Sequence, residues 1–551
     1  MKESLLFLVL ISLFVSCKKD KNTEINPGDI IIDSVLVNDK SVLNNGTVIN
    51  ADYNNIIINI WFNKRVDTTQ FNNSRLSFTG SIGTSYKYRF TNFPRSLLTI
   101  TAKSLEPLKS YSVYFDAGQN LGGLLKNGFN FAFTTIPNPV PKFPQISDDS
   151  LLTLVEKQTF RYFWDYAHPI SGLSRERYGS GDLVTIGGTG FSLMAILVGI
   201  ERHFITRQEG FERVRKIIHF LSKKSTDKYH GVFPHWLSGS TGKVIPFSQK
   251  DDGGDLVETG FLVQGLICAG EYFKNGSKDE TAIYDSINNI RSNIDWNWYR
   301  KNNENHLYWH WSPDFQWTMN MPVTGWNEAL IVYVLAASST SVTQARTIYD
   351  EGWARNGAYP MKNGKTFFGI QLPLGPDYGG PLFFAHYSFL GLDPRQLSDQ
   401  YADYWVQNTA HSRINYEYCI TNPKYFAGYG DNCWGLTASD TENGYSASSP
   451  TNDLGVIAPT AAVSSFPYTP YESMRALKFF YYTLGDKLWG YYGFYDAFSL
   501  TSLWFAKSYL AIDQGPIICM IENYRTGFLW DLFMSNADVK NGLDKLGFTY
   551  N

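Results

Sequence analysis

Residues 250–270 read KDDGGDLVETGFLVQGLICAG. Four carboxylates, Asp251, Asp252, Asp255 and Glu258, crowd around two adjacent glycines and lead straight into an apolar run. Asp255 followed three positions later by Glu258 has the form of a helix start. The first side chain can accept orphan backbone N–H groups, and the second lies in the first turn, where the helix dipole favours anions. Capping and solvation would explain a lone Asp-x-x-Glu. Four carboxylates beside Gly-Gly suggest more, because glycines let backbone and ligand approach closely.

The same alternation, a polar loop feeding an apolar helix, recurs from Ser147 to the C-terminus. Helical periods and capping boxes punctuate about a dozen segments: Thr206 with Glu209, Ser277 with Glu280, Ser341 with Gln344, and Thr469, followed by Pro470, with Glu472. Very short links near Thr206, 275–276 and Thr340 alternate with long Gly- and aromatic-rich loops at 168–188, 225–254, 300–325, 356–380 and 420–468. Short links make antiparallel helix hairpins, so the long loops gather at one end. Residues 147–551 are therefore expected to form an all-α toroid with one mouth carrying the chemistry.

Upstream the pattern differs. Residues 26–135 hold short Val-, Ile- and Thr-rich runs such as NIIINIWF, YSVYF and FNFAFTT between Asn, Gly and Pro turns, which predicts a small β-sandwich. IPNPVPKFPQ, within a Pro-rich linker at 136–146, is stiffened by its prolines and marks the boundary. The first 17 residues, MKESLLFLVLISLFVSC, have a basic start and a short apolar core, the pattern of a lipoprotein signal peptide with Cys17 as the lipid-bearing residue. The apolar stretch is too short to span a bilayer. A lipid-anchored protein of the outer membrane is expected, on the periplasmic face or the cell surface. Lys18, Lys19 and Asp20 follow Cys17 in place of an acidic export signal, which favours the periplasmic face.

At 551 residues the chain suggests at least two domains. A net charge of −3 predicts no broad affinity for nucleic acid or for anionic lipid, so any membrane contact runs through the anchor. A monomer is expected. Aromatic residues make up 16% of the chain, many in polar loops, and aromatic faces beside carboxylates suit sugar rings. None of the five cysteines forms a CxxC pair. Cys419 and Cys433 are the pair that an oxidising compartment could join.

Two further carboxylates stand out. Glu328 in GWNEAL heads the apolar helix ALIVYVLAAS, where an ordinary first-turn Glu is the alternative. Asp496 lies in GYYGFYDAF, and a carboxylate set among Tyr and Phe must be hydrogen-bonded or shifted in pKa. Two acids on different loops of one ring suit glycoside cleavage, which needs a protonated carboxyl at the leaving oxygen and a second carboxylate for water or carbon. No HExxH, GxSxG, GxGxxG or Walker motif is present, and DDGGD lacks calcium-loop spacing, so neither metal nor cofactor is expected.

The motifs YAHPISGLSRER, GVFPHWLSG, DDGGDLVETGF, GWNEALIVYVL, PLFFAHYSFLGLDPR, CWGLTASD, LWGYYGFYDAF and IDQGPIICMIENYRTGFLW occur in order. Through them the second domain resembles glycoside hydrolase family 144, the bacterial endo-β-1,2-glucanases, often labelled glucoamylase-like. The first domain resembles bacterial Ig-like modules. The resemblance implies an (α/α)6 barrel that cleaves linear β-1,2-glucan with inversion to sophoro-oligosaccharides. It implies Glu328 as general acid and Asp496 as the base acting on water, with Asp251, Asp255 and Glu258 in the same cleft. An exo-acting hydrolase that releases sophorose and a non-catalytic glycan-binding lipoprotein are the alternatives. Trp236, Trp311, Trp317, Trp326 and Trp434, with Asn327, are the candidates for sugar contact on the long-loop side. Arg175 and Arg177 could donate to sugar hydroxyls.

Overall fold

In NIIINIWF, the strand Asn55–Phe62, every second side chain turns inward, and Ile56, Ile58, Ile60 and Phe62 are buried. That period of two is the signature of a strand with one face in a core. The structure is a computed structural model that describes residues 28–80 and 86–550. The proposed signal peptide and Cys17 lie outside the described residues.

The first compact unit ends at Thr135. An antiparallel five-stranded sheet runs in the order Lys40–Val42, Ile32–Val37, Asn55–Phe62, Leu97–Lys103, Tyr86–Thr91. A second sheet orders Gly46–Ala51, Phe129–Thr135, Ser110–Phe115, Leu76–Phe78, with its first pair parallel. The inward residues of both, among them Ile58 and Ile60 from one and Val113, Phe115, Phe131 and Phe133 from the other, share one core.

The second unit begins at Ile136. The Pro-rich stretch expected to be a linker is docked on this unit. Lys142 N donates to Tyr482 O at 2.7 Å, Ile146 N donates to the Tyr482 hydroxyl at 3.0 Å, and Phe143 stacks on Tyr481. The helices that follow alternate between two environments. α1 (Asp148–Asp165), α3 (Arg207–Ser222) and α5 (Lys278–Ser292) keep a polar face. α2 (Ile186–Glu201), α4 (Leu256–Phe273) and α6 (Leu330–Ser338) are buried almost all round, as inner helices must be. A short α7 (Ala345–Thr347) runs into a π-turn, and α8 (Tyr404–Thr421) is an eighteen-residue helix. α9 (Pro459–Val463), α10 (Pro470–Lys478), α11 (Gly485–Leu488) and α12 (Ala511–Arg525) come next. α13 (Phe528–Met534) and α14 (Ala537–Leu546) close the chain. Among the buried segments α2 packs on α4 and α12, α4 on α6, and α9 on α12. The turns Leu382–Ala385 and Tyr387–Leu390 stand between α6 and α9, tied by Ser388 Oγ to Glu328 O and by the Tyr468 hydroxyl to Ala385 O.

Among the described residues no helix is long and apolar enough to cross a membrane. Thr206 with Glu209 and Ser277 with Glu280 form complete capping boxes. Two expected boxes do not form. The Thr469 hydroxyl bonds Ser465 O and Ser473 Oγ, and the Gln344 side chain accepts from Arg300. Cys419 and Cys433 are buried and unpaired.

Candidate active site

The site is built where the buried helices begin. Asp255 caps α4, its Oδ1 accepting from Val257 N and Glu258 N at 3.0 and 2.9 Å. That leaves Oδ2 for other partners: Trp309 Nε1 at 3.2 Å and His235 Nδ1 at 2.9 Å. Glu258, one turn into α4, accepts from Gly187 N at 2.8 Å and from the Thr185 hydroxyl at 3.3 Å, which ties it to the start of α2. Two small sheets hold these groups in place. Trp236 pairs with Thr185 and Ile245, and Gly254–Asp255 pairs with His310–Trp311. The second pairing sets His310 Nε2 3.0 Å from Asp251 Oδ1.

Charge in this group is balanced by a histidine. Burial works against the His235 imidazolium, but Glu258, the bond to Asp255 and the charges of Asp255 and Asp251 outweigh it and raise its pKa to about 9. Burial pushes the Glu258 carboxyl up, and the histidine pulls it back. Ligand atoms of His235, Asp251 and Asp255 lie within 4.8 Å of one another, close enough for a cation. The imidazolium already supplies positive charge at that spot.

Glu328 sits immediately ahead of α6, only 9% exposed. Burial lifts its pKa to about 7; its own backbone N–H pulls the other way, and the negative charges of Glu258 and Asp255 add to the rise. Such a carboxyl holds its proton near neutrality, as a general acid must.

A second acidic group lies around Asp496. Asp496 Oδ2 accepts from Asp440 N at 2.7 Å, and Asp440 is held by Ser508 Oγ at 2.5 Å and by Arg177 at 3.2 and 3.3 Å. Burial raises Asp496 to about 7. Its side chain is bonded to that of Asp513, in the first turn of α12, whose pKa is driven well upward by burial and then by Asp496. Asp496 Oδ1 and Asp513 Oδ2 are buried without another hydrogen-bond donor, and of two buried carboxyls this close one has its pKa raised by the other. Tyr387 connects the two groups. Its buried phenol is raised by burial and then by Asp513, Tyr445, Glu328 and Glu258, so it stands within electrostatic reach of both.

The sequence candidates divide accordingly. Asp251, Asp255, Glu258, Glu328, Asp496 and Arg177 belong to this connected set. Arg175 is turned to backbone, donating to Gly181 O at 2.7 Å and Tyr166 O at 3.0 Å. Two tryptophans require correction. Trp434 is 0% exposed, its Nε1 on Glu472 O and its ring against Tyr416, and Trp326 is buried against Phe389 and Tyr404. Neither offers a face to a sugar. Asn327 turns its side chain to Ala329 N at 2.9 Å. Trp317 packs against Tyr299 and Tyr308, while Trp236 and Trp311 remain partly exposed. Asp513, Asp440 and Tyr387 are the residues that sequence reasoning passed over; His235, in PHW, reads from the sequence as a hydrogen-bonding histidine and is one, on Asp255. Asp513 carried a readable signal, an acid in the first turn of an apolar helix, the same placement as Glu258.

Comparison with known proteins follows the same outline. The family model described as Glycoamylase matches residues 320–537. An exo β-1,2-glucooligosaccharide sophorohydrolase (non-reducing end) of Parabacteroides distasonis is 45% identical over 421 residues, 73% of this chain. The match spans 58% of that relative's length. Among solved structures, an endo-β-1,2-glucanase from Chitinophaga pinensis, in complex with sophorotriose and glucose, has 52% identity and a TM-score of 0.71 over 74% of this chain and 99% of its own. A β-1,2-glucanase from Parabacteroides distasonis has 37% identity and a TM-score of 0.71, over 94% of this chain and 74% of its own.

Proposed function

The chain belongs to glycoside hydrolase family 144, and from that premise we propose that it hydrolyses linear β-1,2-glucan by endo cleavage with inversion. The observation that carries the reading is two buried carboxyls on separate elements, Glu328 and Asp496, both raised to about 7, with the Tyr387 phenol in electrostatic range of Glu328 and of Asp513, the neighbour of Asp496. Glu328 gives its proton to the glycosidic oxygen as the C–O bond breaks. The Asp496–Asp513 pair, carrying one negative charge, takes a proton from the water that attacks the anomeric carbon from the opposite face. Asp255 and Glu258, buried and held by His235 and by the start of α2, act by position: burial raises the Glu328 pKa, and their charges add to the rise and keep its proton in place. No cofactor takes part in this scheme. The framework in the same reading is an (α/α)6 barrel, supported by the packing of the buried segments on one another, preceded by an Ig-like sandwich.

Product profiling tests the proposal. Linear β-1,2-glucan incubated with the protein is expected to give sophoro-oligosaccharides of several lengths, and NMR of the first product should show the inverted anomer. Release of sophorose alone would instead favour exo action, the reading supported by the Parabacteroides relative. Binding without release of reducing ends would mark a glycan-binding protein. Lipid anchorage through Cys17, with the folded part on the periplasmic face or cell surface, belongs to the same proposal. Metabolic labelling with a radioactive fatty acid should be lost in Cys17→Ser.

A further inference from the structure

Phe247 presents an aromatic face at the acidic rim. It is 48% exposed, large for an apolar ring. It is not a loose side chain. Its ring stacks on His235 with centroids 4.2 Å apart and planes at 29°, and it meets Trp236 edge-on at 4.8 Å. The backbone is equally fixed: Phe247 N donates to Asp251 O at 2.9 Å, and Asp251 N closes a turn on Ser248 O at 3.0 Å. The hairpin of Trp236–Ser238 and Val244–Ile245 delivers the chain to this point.

The surroundings suit one chemical class. One side of the ring rests on a histidine that is bonded to Asp255 and neighbours Glu258. An apolar ring held rigid with one face on a histidine and the other open matches a pyranose, whose C–H face stacks on aromatics, while the buried carboxylates behind fix His235 and through it the ring. A purely structural role, shielding His235 from water, would be met as well by an aliphatic side chain. We propose that Phe247 is the stacking platform of a glucosyl subsite on the Asp255 side of the cleft, packing on one ring of the β-1,2-glucan chain. The assignment deepens the proposed function and rests on it.

Steady-state kinetics on β-1,2-glucan test it in the full chain, with Phe247→Ala, Phe247→Leu and Phe247→Trp beside the parent. Loss of the face is expected to raise KM about tenfold in both Ala and Leu variants, equivalent to ~1.4 kcal/mol, and by more than any change in kcat. The Trp variant should keep KM near the parent's. Leu fills the space over His235 without offering a flat face, so a parent-like KM in Phe247→Leu would overturn the assignment. So would a fall in kcat with KM unmoved in Phe247→Ala. Thermal unfolding of each variant separates poor folding from weak binding, and Phe247→Trp keeps the question open to decision if the smaller variants unfold, since a KM raised tenfold in a folded Trp variant also overturns it. A parent that releases no sugar from β-1,2-glucan would fail the functional reading itself, and the platform with it. A parent that cleaves while the variants match it sinks the platform alone.

Discussion

In the proposed mechanism Glu328 serves as the acid because of its setting rather than its type. A surface glutamate would be ionised at neutral pH, whereas burial raises this one to about 7. The protonated form is the working one in the proposed mechanism, and it is lost as pH rises through the folded pKa. Activity is therefore expected to fall about tenfold per pH unit above about 7. In Glu328→Gln, kcat should drop by ~10²–10⁴-fold and that alkaline limb should disappear, since no proton remains to be lost. A Gln variant that kept the limb would assign it to another group. Burial raises both Asp496 and Asp513, Asp496 raises Asp513 further, and the proposed mechanism requires the pair to have released one proton. Asp496 was visible in the sequence because aromatic neighbours made it conspicuous. Asp513 shares the first-turn placement of Glu258, but its partner was not legible: only the approach of α12 to the 488–498 loop brings that carboxyl to Asp496.

At the level of elements, local rules held where the partner lay nearby in sequence. The Asp255 cap and the boxes at Thr206 and Ser277 use groups two or three residues apart. Spacing alone did not secure the other two boxes: Gln344 is engaged by Arg300 from a distant loop, and the Thr469 hydroxyl is taken by its own preceding turn. The inner segment 382–390 folds as two short tight turns, which helical periodicity does not reveal. Trp326 and Trp434 failed as sugar candidates for a related reason: placement on a long loop does not say which way a ring turns, and Trp434 turns wholly inward. What does fix the cleft is the approach of α2 to α4. A Cβ on Gly190 would lie 2.1 Å from Phe261 O, and one on Gly265 would lie 2.1 Å from Gly190 O. Helix propensity alone would make Gly190→Ala stabilising by ~1 kcal/mol. Collision with a backbone carbonyl cannot be relieved by a rotamer change, so the helices must part, and overpacking of this kind costs ~1–3 kcal/mol or more. Because Gly187 N on α2 holds Glu258 on α4 at 2.8 Å, parting them also disturbs the site. Gly190→Ala is expected to be destabilised in denaturant titration and to lose activity, the reverse of the propensity effect.

For the molecule as a whole, the change from period-two strands to helical periods was legible, and so was the position of the boundary near 135. The role of the Pro-rich stretch was not, because prolines advertise stiffness without saying what the segment rests on. Phe143 stacks on Tyr481 at 4.7 Å and covers Gly485, while Lys142 N and Ile146 N bond Tyr482. Residues 136–146 thus belong energetically to the helical unit. All the carboxylates of the proposed mechanism lie in that unit, and the first unit has a core of its own. A polypeptide of residues 136–551 is accordingly expected to unfold cooperatively and, on the proposed function, to cleave linear β-1,2-glucan at the rate of the full chain. One that starts at residue 147 loses a packed aromatic ring and two backbone bonds, and should be less stable by ~1–3 kcal/mol. Denaturant titration of the two fragments side by side checks this. Equal midpoints would show the docked segment to be a passive spacer, and failure of the longer fragment to fold would show that the helical unit depends on the strands that precede it.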